Sequence, residues 1–377
     1  MFRISKFSIR PTRTQAIVML VIAAAVSLGA AGLATHPSAR YVQHNLVSDV
    51  PGAADHTDSN LVNAWGIASS PTTSPWWVAD NATGVSTLYD QHGVANMLVV
   101  NVPGADGTPN GGAPTGIVFH DPSDGQFVVS DGMGNSGPAV FMFASEDGTI
   151  SGWAPGVPPP PPSHQAQIAI DDSDENAIYK GLALASTTSG PRLYTTDFHN
   201  NRIEVYGGDF EDAVITGDFH DSQIPHGYAP FGIAAINGKI FVSYAKQDAD
   251  AHDNLDGPGL GFVNVFDTDG NLLQRLIRHG KLNAPWGMVQ APSNFGQFSN
   301  ALLVGNFGDG RINAYNIDTG EGLGTLVSKP GHPIQIDGLW GLGFGNGGAA
   351  GPTNVLYFAA GPDDETHGLF GSISAAE

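Results

Sequence analysis

The sequence predicts an all-β fold, a six-bladed β-propeller whose ring is closed by an N-terminal strand pairing in the last blade. Three observations carry this. Gly and Pro number 50 and 26 of 377 residues, a density of turn residues that suits many short strands and not a helical bundle. A motif of an apolar or aromatic residue, then Gly, then an apolar run recurs six times along the chain. The sixth unit falls one strand short, and a spare strand stands near the N-terminus to complete it.

The repeat is plainest in Asn63-Ala64-Trp65-Gly66-Ile67-Ala68, Ala229-Pro230-Phe231-Gly232-Ile233-Ala234 and Ala284-Pro285-Trp286-Gly287-Met288-Val289. With Gly116, Gly181 and Gly341, its glycines are spaced by 50, 65, 51, 55 and 54 residues. Thr115 and Lys180 stand in for the aromatic residue in two units. A first strand beside a crowded axis needs Gly, because a Cβ would obstruct the neighbouring backbone. Second apolar runs follow at residues 76–80, 127–131, 193–197, 240–244, 302–306 and 355–358. Third runs follow at 202–206, 261–266 and 311–315, and a fourth at 97–100. Period-2 alternation in four short strands per unit of roughly 40–50 residues is the pattern of a propeller blade. The sixth unit supplies runs at 342–345, 355–359 and 369–374 and stops. The stretch YVQHNLVS at residues 41–48 is expected to close the ring as its fourth strand, which removes an open edge. Residues 41–377 therefore read as one domain. A sandwich or two small β domains would not require the sixfold recurrence.

Residues 1–34 read as a signal peptide, with Arg3, Lys6, Arg10 and Arg13 ahead of the apolar stretch Ala16 to Ala34. Residues 35–40 read as a short linker. This predicts export to the extracellular space or cell envelope, with no stable membrane insertion after cleavage; an uncleaved anchor is the alternative. Losing four cations and no anion takes the formal charge from −21 to −25. That balance excludes electrostatic capture of nucleic acid. With no Cys there is neither a disulfide framework nor a thiolate chemistry. Nucleotide-binding and G-x-S-x-G motifs are absent from the sequence.

In a propeller the loops before each first strand and those between second and third strands emerge on one face around the channel mouth. The candidate ligand-binding face drawn from them is Asn63, Asp80, Asp131, Asp197, His199, His226, Asn283, Asn306, Asp337 and His367, and the same loops carry Asn81, Asp309 and Glu365. Carboxylates and amides converging on a channel suit Ca²⁺, although Asp and Asn also serve turns by bonding nearby backbone amides. His199, His226 and His367 come from different blades and define a zinc alternative. The loop from Lys246 to Gly261 supplies a second metal candidate in Asp248, Asp250, Asp253 and Asp256, although it departs from the EF-hand pattern. Trp65, Trp286 and Trp340, before the repeat glycines, read as wedge packing between blades. The proline run 158–162 reads as a stiff excursion that lengthens the second unit.

The segments NLVNAWGIA, SPWWVADN, HDNLDGPGLGFVNVFD, LLVGNFGDGRINAY, DGLWGLGFG and LYFAAGPDDETHGLFGSI resemble an uncharacterised family of exported bacterial proteins related to NHL-repeat six-bladed propellers. The resemblance covers essentially all of residues 41–374 and implies a fold without implying an activity. More distant six-bladed propellers include calcium-dependent lactonases, a zinc-dependent amidating lyase and binding modules, which is a fold-level analogy only. The expectation is a monomeric propeller binding a small molecule, glycan or protein at its polar channel face, with Ca²⁺ as the candidate cofactor. A metal-dependent hydrolase or lyase at the channel mouth is the competing class.

Overall fold

The structure is a computed structural model that describes residues 40–376. The signal segment 1–34 and nearly all of the 35–40 linker lie outside the described residues. Six antiparallel blades surround one axis. From the axis outward, blade 1 contains Ala64–Ala68, Trp76–Asp80, Val85–Tyr89 and Val100–Asn101. Blade 3 contains Tyr179–Thr187, Gly190–Asp197 and Arg202–Gly207. Blade 4 contains Tyr228–Ile236, Lys239–Gln247, Phe262–Phe266 and Leu272–Arg278, and blade 5 contains Pro285–Gln290, Leu302–Asn306, Ile312–Tyr315 and Gly322–Thr325. Among the described residues no helix is long and apolar enough to cross a membrane.

The repeat glycines do what their spacing predicts. A Cβ on Gly66 would collide with the Thr115 carbonyl oxygen of the next blade, and one on Gly116 with the Leu182 amide. Gly232 abuts the Trp286 carbonyl, Gly287 that of Trp340, and Gly341 that of Trp65, which brings the series back to the first blade. First strands thus touch in order around the whole ring.

Blade 6 contains Leu339–Phe344, Val355–Ala360, Leu369–Ala375 and, on its outer side, Tyr41–Ser48. The N-terminal strand runs antiparallel to Leu369–Ala375, from the pair Tyr41 with Ala375 to the pair Ser48 with Leu369. Tyr41 is buried, donates its hydroxyl to the Phe295 carbonyl at 3.1 Å and stacks on Phe298, so the closing strand is also pinned to blade 5.

Blade 2 corrects the sequence assignment. Its second strand is Phe141–Ser145, between Pro114–Phe119 and Thr149–Trp153, with Gln167–Asp171 outermost. The apolar run at 127–131 belongs instead to a separate hairpin, Val128–Ser130 with Ser136–Pro138, against the outer strands. Its alternation is that of any half-buried strand, so periodicity alone did not separate insertion from blade. Phe127 and Val129 turn into a core shared with Met142, Ile150 and Tyr206. The extra length of this unit is therefore divided between the hairpin and the proline loop.

Both faces of each blade are covered by neighbours, which explains the nearly continuous apolar strands. Adjacent residues show it directly. Trp76 packs on Tyr357 of blade 6 with ring centroids 5.2 Å apart, whereas Trp77 stacks on Phe141 of blade 2 at 4.1 Å. Along the axis, Ile67, Ile117, Leu182, Ile233, Met288 and Leu342 line a narrow cavity of about 90 Å³.

Candidate functional site

One end of this channel is plugged by aromatic side chains. Trp65 and Trp340 stack with centroids 3.4 Å apart, Trp286 meets both edge-on, and Phe231 and Phe307 complete the cluster. Trp65 and Trp340 are 2% and 1% exposed, so the indoles offer no open stacking platform; they pack on one another as a plug at the axis and not as wedges between neighbouring blades, which corrects the sequence expectation. The plug is the floor of a polar mouth.

Lys180 enters this mouth from the first strand of blade 3, at the repeat position that is Trp, Phe or Thr in the other units. Its side chain is 1% exposed. The ammonium pairs with Glu146, lies 3.0 Å from Asp253 Oδ1 and sits 5.3 Å from the centre of the Trp65 ring. A buried ammonium is stable only when paired. Burial opposes its charge, but Glu146 and Asp253 outweigh that and hold its pKa above the usual lysine value. Burial likewise disfavours charge on Asp253, and Lys180 reverses this, so that carboxyl sits below the usual range.

Each partner comes from a loop between second and third strands. Glu146 follows Phe141–Ser145 of blade 2, and Asp253 sits in the long loop of blade 4. Asn81 of blade 1 donates Nδ2 to Glu146 Oε2 at 2.8 Å and accepts from Asn63 Nδ2 at 3.2 Å. Blade 6 contributes Glu365. Asp363, Asp364 and Glu365 have φ of 58°, 52° and 63°, a left-handed run that costs about 1–2 kcal/mol per non-glycine residue. The Glu365 amide bonds Gly361 O at 3.2 Å, and Asp337 Oδ2 accepts from the Asp363 amide at 2.9 Å. Burial first, then Glu146, push the Glu365 carboxyl up to about 7. It can exchange a proton near neutrality.

Several polar atoms here are enclosed without a hydrogen-bond partner among the described residues: Trp65 Nε1, Trp340 Nε1, Asn63 Oδ1, His199 Nδ1 and Glu365 Oε1. An unmet buried group costs roughly 1–3 kcal/mol. Together with the ammonium they form a mixed set of buried donors and acceptors, and the bonds they lack are of the kind that hydroxyl or carbonyl oxygens supply.

The other candidates divide between scaffold and rim. Asp80 is fully buried and accepts from the Thr87 amide at 3.0 Å and hydroxyl at 2.8 Å. Burial raises its pKa well above the ordinary value. Asp197 binds Arg202 Nε at 3.2 Å and Asn200 Nδ2 at 2.7 Å. Asn306 donates to Lys281 O at 2.7 Å, and Asn283 accepts from the Gly257 amide at 2.7 Å. These bonds tie strand ends to neighbouring strands and loops of the scaffold. Asp131 tips the peripheral hairpin and accepts from the Met133 amide at 2.8 Å, so it does not reach the mouth; Glu146 takes its place there.

The zinc alternative is not assembled. His367 Nδ1 is 2.8 Å from Asp49 Oδ2, His226 is exposed, and the three imidazoles form no metal-sized group among the described residues. In the acidic loop, Asp248 accepts from the His252 amide at 3.0 Å, Asp250 is exposed, and Asp256 accepts from Asn254 Nδ2 at 2.6 Å. Asp253 alone joins a group, in which it, His252 and Glu146 place ligand atoms within 4.8 Å of one another. Sequence reading missed Glu146 because the blade 2 strand was misassigned. Lys180 had a legible signal, a charge at an otherwise apolar repeat position.

No family model matches the chain. Among solved structures it is similar to the soluble aldose sugar dehydrogenase of Escherichia coli, at 11% identity and a TM-score of 0.52, covering 89% of this chain and 100% of that one. It is also similar to a gluconolactonase of Xanthomonas campestris, at 12% identity and a TM-score of 0.50, covering 90% of each chain. These likenesses concern the fold. Two uncharacterised proteins of Acanthamoeba polyphaga mimivirus are each 33% identical, over 338 and 336 residues, covering 87% of this chain and 78% and 84% of their own lengths. With identity sustained across nearly all of the propeller, the chain belongs to the family of these mimivirus proteins.

Proposed function

We propose that this chain is an exported, monomeric NHL-like propeller whose polar mouth binds a small oxygen-rich ligand. The observation that carries this reading is the buried ammonium of Lys180, ringed by Glu146, Asp253 and Glu365 and by enclosed polar atoms whose hydrogen bonding the chain does not complete. A ligand that brings both donors and acceptors satisfies that set, which a purely apolar one does not. The fold neighbours named for an aldose sugar and a gluconolactone make sugars and sugar lactones the first probes. Glycans and protein partners that present hydroxyl groups belong to the same chemistry. The test is a thermal-shift panel of sugars and lactones on the wild type, Glu146→Gln and Glu365→Gln. A rise in Tm with at least one probe, reduced in both variants, is expected. A rise that survives both substitutions would move the site away from the mouth.

A second reading, a metal-dependent hydrolase or lyase, draws on the Glu146, His252 and Asp253 group. A cation there would polarise a carbonyl or activate water, but it would have to settle beside the Lys180 ammonium. Calcium or zinc found in stoichiometric amount in the purified protein, and activity lost on chelation, would favour this reading over the first.

A further inference from the structure

We propose that Lys180 is the resident cation of the mouth, so that its ammonium keeps divalent ions out of a site that Glu146, Asp253 and His252 would otherwise form. Two carboxylates and an imidazole from two blades, within 4.8 Å of one another, are a donor set for a first-row divalent ion. The set has outer support. Glu146 is oriented by Asn81, and Asn81 by Asn63, which is 6% exposed and keeps an enclosed, unpartnered amide oxygen. His252 Nδ1 lies 3.1 Å from the same Asp253 Oδ1 that Lys180 contacts.

Geometry makes the two cations exclusive. Metal–oxygen bonds to such ligands are roughly 2.0–2.2 Å, and Lys180 Nζ is already 3.0 Å from Asp253 Oδ1 and paired with Glu146. An ion holding both carboxylates would therefore sit within a few ångströms of a fixed positive charge. The ammonium cannot withdraw easily: its side chain is buried, and it lies over the Trp65 ring. Like charges held that close repel strongly in a partly dry site. The lysine supplies a single positive charge and N–H donors, with no Lewis-acid centre and no exchangeable water. The inference concerns the trio and not the organic ligand, so its failure leaves the ligand-binding reading to its own test.

Mn²⁺ is the probe, because electron paramagnetic resonance counts its free and bound forms directly. The full chain would be titrated as wild type, Lys180→Met and Lys180→Gln, and Lys180→Met would be repeated with Glu146→Gln. The expected result is one Mn²⁺ bound by the Lys180 variants at least tenfold more tightly than by the wild type, with the gain lost when Glu146→Gln is added. A wild type that binds one Mn²⁺ as tightly as the variants would overturn the proposal. A folded Lys180 variant that binds none would overturn it as well. Should neither variant fold, Lys180→Thr, which installs the residue found at the equivalent position of blade 2, Thr115, replaces them with the same two outcomes; stoichiometric Mn²⁺ bound by the wild type and abolished by Glu146→Gln refutes exclusion in either case.

Discussion

The carboxyl of Glu365 is raised from 4.5 to about 7 because the folded chain buries it beside Glu146 and Asp253. A raised acid pKa means that the native state holds the proton more tightly than the unfolded state does. Stability is therefore highest below the unfolded value, falls as pH rises from about 4.5 to about 7, and is lowest above that. The full penalty is up to about 3 kcal/mol by linkage. Glu365→Gln should raise Tm at pH 8, and the gain should vanish near pH 4.5, as calorimetry across that range would show. Glycines offer a sharper contrast. A Cβ on Gly287 meets the Trp340 carbonyl, whereas one on Gly156 meets nothing within 4 Å. Gly287→Ala should cost at least about 3 kcal/mol in denaturant melts or prevent folding, with Gly156→Ala close to neutral. The glycine role was readable from spacing alone, since only a close backbone approach explains Gly after such varied residues. Glu365 was visible only as one acid among many in turns, because its pKa depends on side chains from blades 2, 3 and 4.

At the level of elements, the closing strand was the most legible feature. A sixth unit with three runs and an unassigned strand before the first unit have one economical solution, and the register from Tyr41 to Ser48 realises it. Ser48 Oγ donates to Gly368 O at 2.9 Å, and Asp49 receives the Gly368 amide at 2.8 Å and His367 at 2.8 Å, so the closure ends beside the loop that carries Glu365. A chain beginning at Asp49 loses the buried Tyr41, Leu46 and Val47 and bares the edge of Leu369–Ala375. It should melt at least 10 °C lower, or aggregate, relative to a chain beginning at Thr35; light scattering during a thermal ramp measures both. Blade 2 was the least legible element. Its inserted hairpin mimics a blade strand in length and alternation, and the resulting shift hid Glu146 from the candidate face. The acidic loop of blade 4 was recognised as unusual, but composition does not say which of its carboxylates meets the buried ammonium; Asp253, itself largely exposed, is the one that pairs with Lys180.

At the scale of the molecule, 36 acidic side chains against 15 basic ones load the surface with like charge. Raising NaCl from about 0.01 M to about 1 M shortens the screening length from about 30 Å to about 3 Å, which weakens that self-repulsion. Tm should rise by several degrees over this range, and an unchanged or falling Tm would show that local ion pairs such as Arg275 with Asp221 outweigh the net charge. The joining of first and last strands in blade 6 also sets an order in time. Residues 41–48 leave the ribosome well before their partner strand, residues 369–375. At roughly 5–20 residues per second of synthesis, the early strand waits on the order of tens of seconds with its pairing edge unoccupied, while five blades can already form beside it. The last blade is thus the step at which a nascent chain is open to mispairing with another copy of itself. Relocating the chain ends, by linking Ala375 to Tyr41 and opening a turn between two other blades, would shift that waiting period to a different blade without changing the finished ring.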